Sequence, residues 1–479
     1  MALSTRSKNK GHHGFPGGKP FVIARGEAMN ASPVRMDDLP LTRFHWRIAG
    51  LTFGAHLTDG YVLGVIGYAM IQLQPQMQLT AIQEGLIGGS ALFGLFLGSL
   101  FLGWLSDHIG RQRIFTFSFL LITLASFLQF FVTSPEQLIL LRICIGFGLG
   151  GDYSVGHTLL AEFSPRRYRG MLLGAFSVVW TIGYVLASAA GHAWIDSFPD
   201  AWRWLLASAS VPALLITLLR VGTPESPRWL MRQGRIGEAH EVVRRFLGAN
   251  VLPGDEIASV TTRRIGTLFS TRYWRRTAFN SIFFICLVVP WFVIYTWLPT
   301  IAQHIELEDP LTASLILNAL LVVGALLGLV LTWSLSRRRF LISSFSLLAV
   351  TLTALALTPA SNSTIILLLF VLFSTAISAA SNLVGILPAE SFPTDIRSLG
   401  VGFATAMSRL GAAVSTGLLP VALVSWGMRN TLLVLVAVLL VGLLVSLLWA
   451  PETRNLSLVE AADGTLKPQG KGNEHSVGV

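Results

Sequence analysis

Glu162-Phe-Ser-Pro165-Arg-Arg-Tyr-Arg169 returns in the second half of the chain as Glu390-Ser-Phe-Pro393-Thr-Asp-Ile-Arg397, with Glu, Pro and Arg in the same spacing. Each copy sits where a long apolar run ends. Two further stretches repeat at the same displacement to within a residue: Pro224-Glu225-Ser226-Pro227-Arg228 is echoed by Pro451-Glu452-Thr453-Arg454, and Thr42-Arg43-Phe44 by Thr271-Arg272-Tyr273. A chain that repeats both ends of its apolar runs in this way is a tandem of two like units.

The apolar runs say what the units are made of. A spanning helix needs about 20 mostly apolar residues, and such runs lie at 48–71, 85–105, 114–133, 137–161, 170–191 and 203–221, then at 277–299, 311–333, 341–358, 364–388, 399–420 and 430–450. The reading is therefore an all-α integral membrane protein of twelve transmembrane helices in two six-helix pseudo-repeat bundles. Its boundaries are an N-terminal disordered tail (1–43), a first bundle (44–221), a linker with short surface helices (222–272), a second bundle (273–450) and a C-terminal tail (451–479). Met29 and Met36 are alternative starts.

Composition agrees. Of 479 residues 52% are hydrophobic and 13% charged, against about 25% charged in soluble domains. Mean hydropathy is +0.63. The net charge of +10 does not mean nucleic acid, because the basic residues form short clusters between apolar runs and no continuous basic face. They do fix orientation. Arg111/Arg113, Arg166/Arg167/Arg169, Arg337/Arg338/Arg339 and the arginines of the central gap, Arg263 and Arg264 among them, fall on one side of a twelve-span chain, whereas 300–310 carries Glu306, Glu308 and Asp309 and no Lys or Arg. The positive-inside rule places both termini in the cytoplasm, for a multi-pass protein of the cytoplasmic (inner) membrane. Cys144 and Cys286 lie in apolar runs and read as packing residues.

The sharpest local motif is Gly103-Trp104-Leu105-Ser106-Asp107-His108-Ile109-Gly110-Arg111-Gln112-Arg113, between spans two and three. Glycines allow close approach. Asp107 can cap a helix, and Arg111 can reach a carboxylate across the interface between halves. Ion pairs of Glu162 with Arg169, Glu225 with Arg228 and Glu390 with Arg397 are expected to close one end of a cavity. Together these residues are the gating set. The second half keeps Arg337-Arg338-Arg339 at the loop and loses the Asp.

Charges inside spans need a cavity or a partner, since a bare charge at the bilayer centre costs about 3 kcal/mol on insertion scales. Asp59, Arg142, Asp152 and Arg409 are such charges, and none has an ionisable counterpart at the repeat displacement. The fold does not demand them, which points to function. Asp59 is read as a proton-binding carboxylate with Arg142 as its partner, a moving guanidinium timing protonation to the cycle. Arg409 is read as the anchor of a substrate carboxylate, a guanidinium being suited to bidentate contact, with a pairing to Asp152 or a backbone carbonyl as the alternative. Asp152, Tyr295 and Trp180 complete the expected substrate site, and His56 and His157 line it.

Gly146-x-Gly148-x-x-Gly151 matches a dinucleotide fingerprint but lies inside an apolar helix with no strand before it, so close helix packing is the better account. No phosphate loop, metal-ligand spacing or nucleophile triad is evident. No cofactor, no metal and no enzymatic activity are expected.

Over about residues 40–455 the chain resembles the major facilitator superfamily, its sugar-porter-like members in particular. The resemblance rests on the Gly103–Arg113 loop, Arg142-x-x-x-Gly146-x-Gly148, Pro224–Arg228, Glu390–Arg397 and Pro451–Arg454. Asp59-Gly60-Tyr61-Val62 and Gly151-Asp152-Tyr153 are similar to the metabolite:proton symporter branch that includes niacin and aromatic-acid carriers. The resemblance implies the major facilitator fold, alternating access, and Asp59 with Arg142 as the coupling pair. Sugar carriers of this type have a paired glutamine on span seven and Gly-Pro-x-x-Trp on span ten. This chain has Asn280-Ser-Ile-Phe-Phe and Ser381-Asn382-Leu-Val-Gly instead, which argues against a hexose. The expected function is secondary transport of a small organic solute, an organic or aromatic acid or a sugar-like metabolite, by a monomer in the lipid bilayer and coupled to protons. An uncoupled facilitator, a proton-coupled sugar transporter and a non-transporting sensor are the alternatives.

Overall fold

The computed structural model describes residues 34–253, 265–304, 309–359, 362–392 and 396–452. Arg263, Arg264, Glu306, Glu308, Pro393, Thr453 and Arg454 lie outside the described residues, as do the tails 1–33 and 453–479.

The first unit consists of α1 (Arg43–Met77), α2 (Ala81–Ile109), α3 (Arg111–Leu128), α4 (Pro135–Phe163), α5 (Arg166–Trp194), and a sixth crossing in two pieces, α6 (Ala201–Ser208) and α7 (Ser210–Arg220). Pro212 has no N–H to offer the carbonyl of Ser208, which accounts for the break. α8 (Pro227–Arg232) and α9 (Ile236–Phe246) form the surface linker. The second unit is α10 (Trp274–Thr296) continued by α11 (Leu298–His304), α12 (Pro310–Ser334), α13 (Arg337–Leu357), α14 (Ser363–Ser391) and α15 (Arg397–Trp449). The last element holds two crossings, bent at Gly427, whose φ of 74° lies in the region open to glycine.

Ten stretches among the described residues are long and apolar enough to cross a membrane, the last being the double-length 399–449. α1 is not among these ten, but it is 35 residues long and packs against α5 within the first bundle, so twelve crossings result. Helices run several residues past the apolar runs at most ends, because the runs mark only the hydrocarbon-facing part of each helix.

Packing in the first unit is copied in the second. α2 lies on α4 as α12 lies on α14, α1 on α5 as α10 on α15, and α3 on α7 as α13 on α15. Glycine makes the first contact possible: a Cβ on Gly94 or Gly98 would strike the backbone of Ile143 or Phe147, and one on Gly146 that of Ala91. Gly324 and Gly328 meet the backbones of Thr375 and Ala379 in the same way. The glycines of α4 are thus helix-packing residues.

The halves touch through α2 with α15, α5 with α12, and α1 with α10 and α11. These contacts gather at the arginine-poor end: Gly85 and Gly89 abut Gly417 and Ala413, and Gly67 abuts Thr296. Asn318 Nδ2 donates to Ser188 Oγ at 3.0 Å, and Ser188 also bonds the Tyr68 hydroxyl.

The tail assigned as disordered to residue 43 is ordered from Val34. Val34 and Arg35 (β1) pair in parallel with Val251 and Leu252 (β2) of the linker, Met36 is buried, and Asp37 accepts from Arg169 at 2.6 Å and Arg228 at 2.7 Å. A low-hydropathy segment held by charge and strand pairing leaves no apolar signature.

Candidate functional site

Four charged or polar side chains meet in the core of the first bundle. Asp152 on α4 and Arg220 at the end of α7, both fully buried, pair at 2.6 Å. Arg220 also donates to the Phe115 carbonyl at 2.5 Å, and its guanidinium lies 3.3 Å from the ring centroid of Phe115 and 4.1 Å from that of Phe119. Such a sandwich holds an arginine with aromatic faces as well as hydrogen bonds. His56 on α1 places Nδ1 3.9 Å from the other Asp152 oxygen and 3.2 Å from its own helix at Thr52 O. Asp59, one turn along α1, is fully buried, and neither of its oxygens has a hydrogen-bond partner.

Arg142 is absent from this group, contrary to the expectation. It donates through Nε to the Ile87 carbonyl of α2 at 3.1 Å and is fully buried there. Ten residues of α4 separate it from Asp152, about 15 Å of helix, whereas the Asp152 carboxyl adjoins Asp59. The guanidinium in reach of Asp59 is Arg220. It closes the sixth apolar run in sequence, where it reads as one more flanking arginine.

Arg409, on the second bundle, faces the first. Its guanidinium lies 5.4 Å from the ring of Tyr153 on α4 and 5.4 Å from that of Phe292 on α10. Its Nε has no hydrogen-bond partner. The alternative of a pairing with Asp152 is not realised, since that carboxylate is taken by Arg220. Tyr153, His157, Trp180 and Arg409 touch groups of other helices, and each keeps partial exposure. Arg409 and Tyr153 bring the second and first bundles together at this level.

An aromatic wall runs beside them. Trp180 stacks on Tyr184 at 5.5 Å, and Trp291 of the second bundle meets Trp180, Tyr184 and Tyr295 each at 5.1 Å between centroids. The Tyr295 hydroxyl is committed to Ser374 Oγ at 2.6 Å, so Tyr295 offers its ring. The Trp180 Nε1 is buried and unpartnered. His157 and His56 stack edge to face at 4.7 Å beneath Phe176. A cleft of 280 Å3 between Arg275, Arg276, Ser391 and Trp449 touches none of these residues.

At the arginine-rich end the expected gating residues form a different network. Arg111 pairs with Glu162, within its own bundle and not across the interface. Glu162 also accepts from Ser226 Oγ at 2.5 Å. Glu225 caps α3, accepting from the backbone of Arg111 at 3.0 Å and of Gln112 at 3.3 Å. A carboxylate is favoured there by the free N–H groups and the helix dipole. Asp107 was expected to cap. Instead its side chain is exposed and 3.8 Å from Arg111, and its carbonyl accepts from Trp229 Nε1 at 3.0 Å. Arg169 and Arg228 turn to Asp37 rather than to Glu162 and Glu225, because the ordered segment before α1 brings an acid between them. The second half repeats the true arrangement: Glu452 caps Arg337 at 3.2 Å and Arg337 lies 3.5 Å from Glu390. Arg397 bonds the Phe392 carbonyl at 3.1 Å. In the first half the partners differ from those expected: Glu162 pairs with Arg111, Glu225 caps α3, and Arg169 and Arg228 pair with Asp37. The expected partners lie three or seven positions apart in sequence, but the helix starts meet at this end in space.

His56, Asp59 and Asp152 bring ligating atoms within 4.8 Å of one another. The cation of this cluster is Arg220, whose guanidinium is already bonded to Asp152, so the donor set fits an ion-pair cage better than a metal.

The profile described as "sugar (and other) transporter" matches residues 49–463. The chain is 75% identical over 451 residues to the inner membrane metabolite transport protein YgcS of Escherichia coli, covering 94% of this chain and 100% of that one. It is 26% identical to the niacin transporter NiaP of Acinetobacter baylyi, over 79% of this chain and 87% of the relative. A partially occluded inward open structure of the xylose transporter XylE from E. coli superposes with a TM-score of 0.70 at 18% identity, covering 85% of this chain and 100% of that one; at that identity the likeness concerns the fold. With this profile spanning most of a twelve-helix, two-bundle protein, the chain belongs to the sugar (and other) transporters of the major facilitator superfamily.

Proposed function

We propose that the chain is a proton-coupled symporter of a small organic anion carrying a planar ring, working as a monomer in the cytoplasmic membrane. The observation that carries this reading is Arg409, a guanidinium at the junction of the halves with an unpartnered Nε and two aromatic rings beside it. A carboxylate supplies what it lacks, through charge-assisted and bidentate hydrogen bonds. Trp180, Trp291 and Tyr295 supply flat surfaces for a ring. The relative named as a niacin transporter fits the same ligand chemistry.

Coupling is assigned to Asp59, buried without a hydrogen-bond donor next to Asp152. Rocking of 44–221 against 273–450 exposes the site alternately. The seal at Ser188, Asn318 and Tyr68 closes the outer mouth, and the arginine-rich end, with both termini, faces the cytoplasm. Arg111–Glu162 and Arg337–Glu390 brace the inner helix ends while Arg169, Arg228 and Arg397 flank them.

Proteoliposomes with an imposed pH gradient test the reading. Accumulation of an aromatic carboxylate above its equilibrium level supports it. Equilibration without accumulation indicates a facilitator, binding without movement a sensor, and gradient-driven uptake of neutral sugars alone a sugar symporter.

A further inference from the structure

Resting on the proton-coupled reading, we propose that the transported proton is shared by Asp59 and Asp152, with Arg220 as the fixed counter-charge that limits the pair to a single proton. The two acids come from different helices, α1 and α4, and their ligating atoms lie within 4.8 Å in a pocket closed to solvent. Both oxygens of Asp59 and Oδ2 of Asp152 have no donor. A single cation faces them from α7, held in place by Asp152 Oδ1, the Phe115 carbonyl and two phenyl faces.

Charge decides the stoichiometry. Two carboxylates and one guanidinium leave the pocket with one uncompensated negative charge, and one proton makes it neutral. Uncompensated charge is expensive in a dry interior, so the pocket is complete with one proton and no more. The other titratable groups beside it are His56 from α1, Tyr153 and His157 from α4, and, at its rim, Arg409 from α15 beyond Tyr153. Asp152 lies eleven residues from the C-terminal end of α4, so the carboxyls sit roughly 16 Å of helix inside the arginine-rich end. Arg220 does not move with the cycle. Asp152 accordingly belongs to the proton site and not to the substrate site.

The rival arrangement has Asp59 carrying the proton alone, beside an inert Asp152–Arg220 pair. Infrared spectroscopy of the purified protein separates the two by the absorption of protonated carboxyl groups. The sharing arrangement predicts that the band assigned to this pocket is lost in Asp59→Asn and equally lost in Asp152→Asn, because either variant is charge-balanced by Arg220 with no proton. It also predicts that the band returns in Asp152→Asn with Arg220→Met, where Asp59 stands without a cation. Retention of the band in Asp152→Asn overturns the proposal, as does its absence from the double variant. Asp152→Asn is expected to fold, since Asp59 takes over Arg220. A variant that cannot be isolated folded counts against the proposal, and the double variant then still reads the protonation of Asp59. These outcomes are independent of transport: a shared proton in a protein that does not accumulate solute would overturn the coupled reading and leave only the sharing by Asp59 and Asp152 standing.

Discussion

Replacing Arg409 by Ala removes the group on which the anion reading depends, and its effect can be scaled. A hydrogen bond to a charged group contributes about 1.5–3 kcal/mol. A forked contact to a carboxylate makes two such bonds, weakened here because the guanidinium keeps partial exposure. A loss of about 3 kcal/mol is then expected, and at about 1.4 kcal/mol per decade this is roughly a 100-fold weaker Kd. Arg409→Lys keeps the charge and loses the fork, for a loss of roughly tenfold. The assay is calorimetric titration of detergent-purified protein with an aromatic carboxylate and, in parallel, with its neutral amide. The amide should bind both proteins alike, to within about threefold. Arg409 has no acidic partner among the described residues, so its removal strands no buried carboxylate and the variant should fold. Anion affinity unchanged in Arg409→Ala would refute the reasoning, as would equal loss for acid and amide.

Other expectations follow from the packing and the two ends. Gly146→Ala should destabilise by roughly 1–3 kcal/mol, because its Cβ would press on the Ala91 backbone, whereas Gly174→Ala, with nothing near its Cβ, should be neutral; thermal unfolding that fails to separate them contradicts the packing account. Asn318→Ala removes one bond of the arginine-poor seal and, at about 1 kcal/mol, should raise the population opened on that side about fivefold. A cysteine at Ser314, in a background lacking Cys144 and Cys286, should label correspondingly faster, and an unchanged rate would discount the seal. Asp37→Asn frees Arg169 and Arg228 from a half-exposed contact worth at most about 1 kcal/mol. Hydrogen exchange at residues 34–42 should quicken without loss of the transmembrane core, and unaltered exchange would mean that the strand pairing alone holds the segment.

The fold was legible because lipid imposes it. Apolar length marks each crossing, and duplicated exits such as Glu162/Glu390 and Glu225/Glu452 mark the halves. Intramembrane charge likewise singled out Asp59, Asp152 and Arg409, since such residues are costly anywhere except at a site. Partners were not legible. Arg142 is nearer to Asp152 in sequence than Arg220 is, yet helical rise carries it well away, while α7 ends beside α4. Arg220 closes an apolar run five residues before Glu225, and nothing in its spacing points to Asp152 or Asp59. Glu162 and Arg169 share a helix end, and the closer contact lies with Arg111, which only the docking of α3 on α4 reveals. Asp37 was missed because an ordered segment held by ion pairs and two strand residues has the composition of a tail.

The central claim joins one acid to the driving force, so the most direct measurement compares the original protein with Asp59→Asn in the same vesicles, under a pH gradient and in gradient-free counterflow. The account predicts that the variant exchanges the aromatic carboxylate across the membrane but no longer accumulates it. Full gradient-driven accumulation by Asp59→Asn would contradict the account.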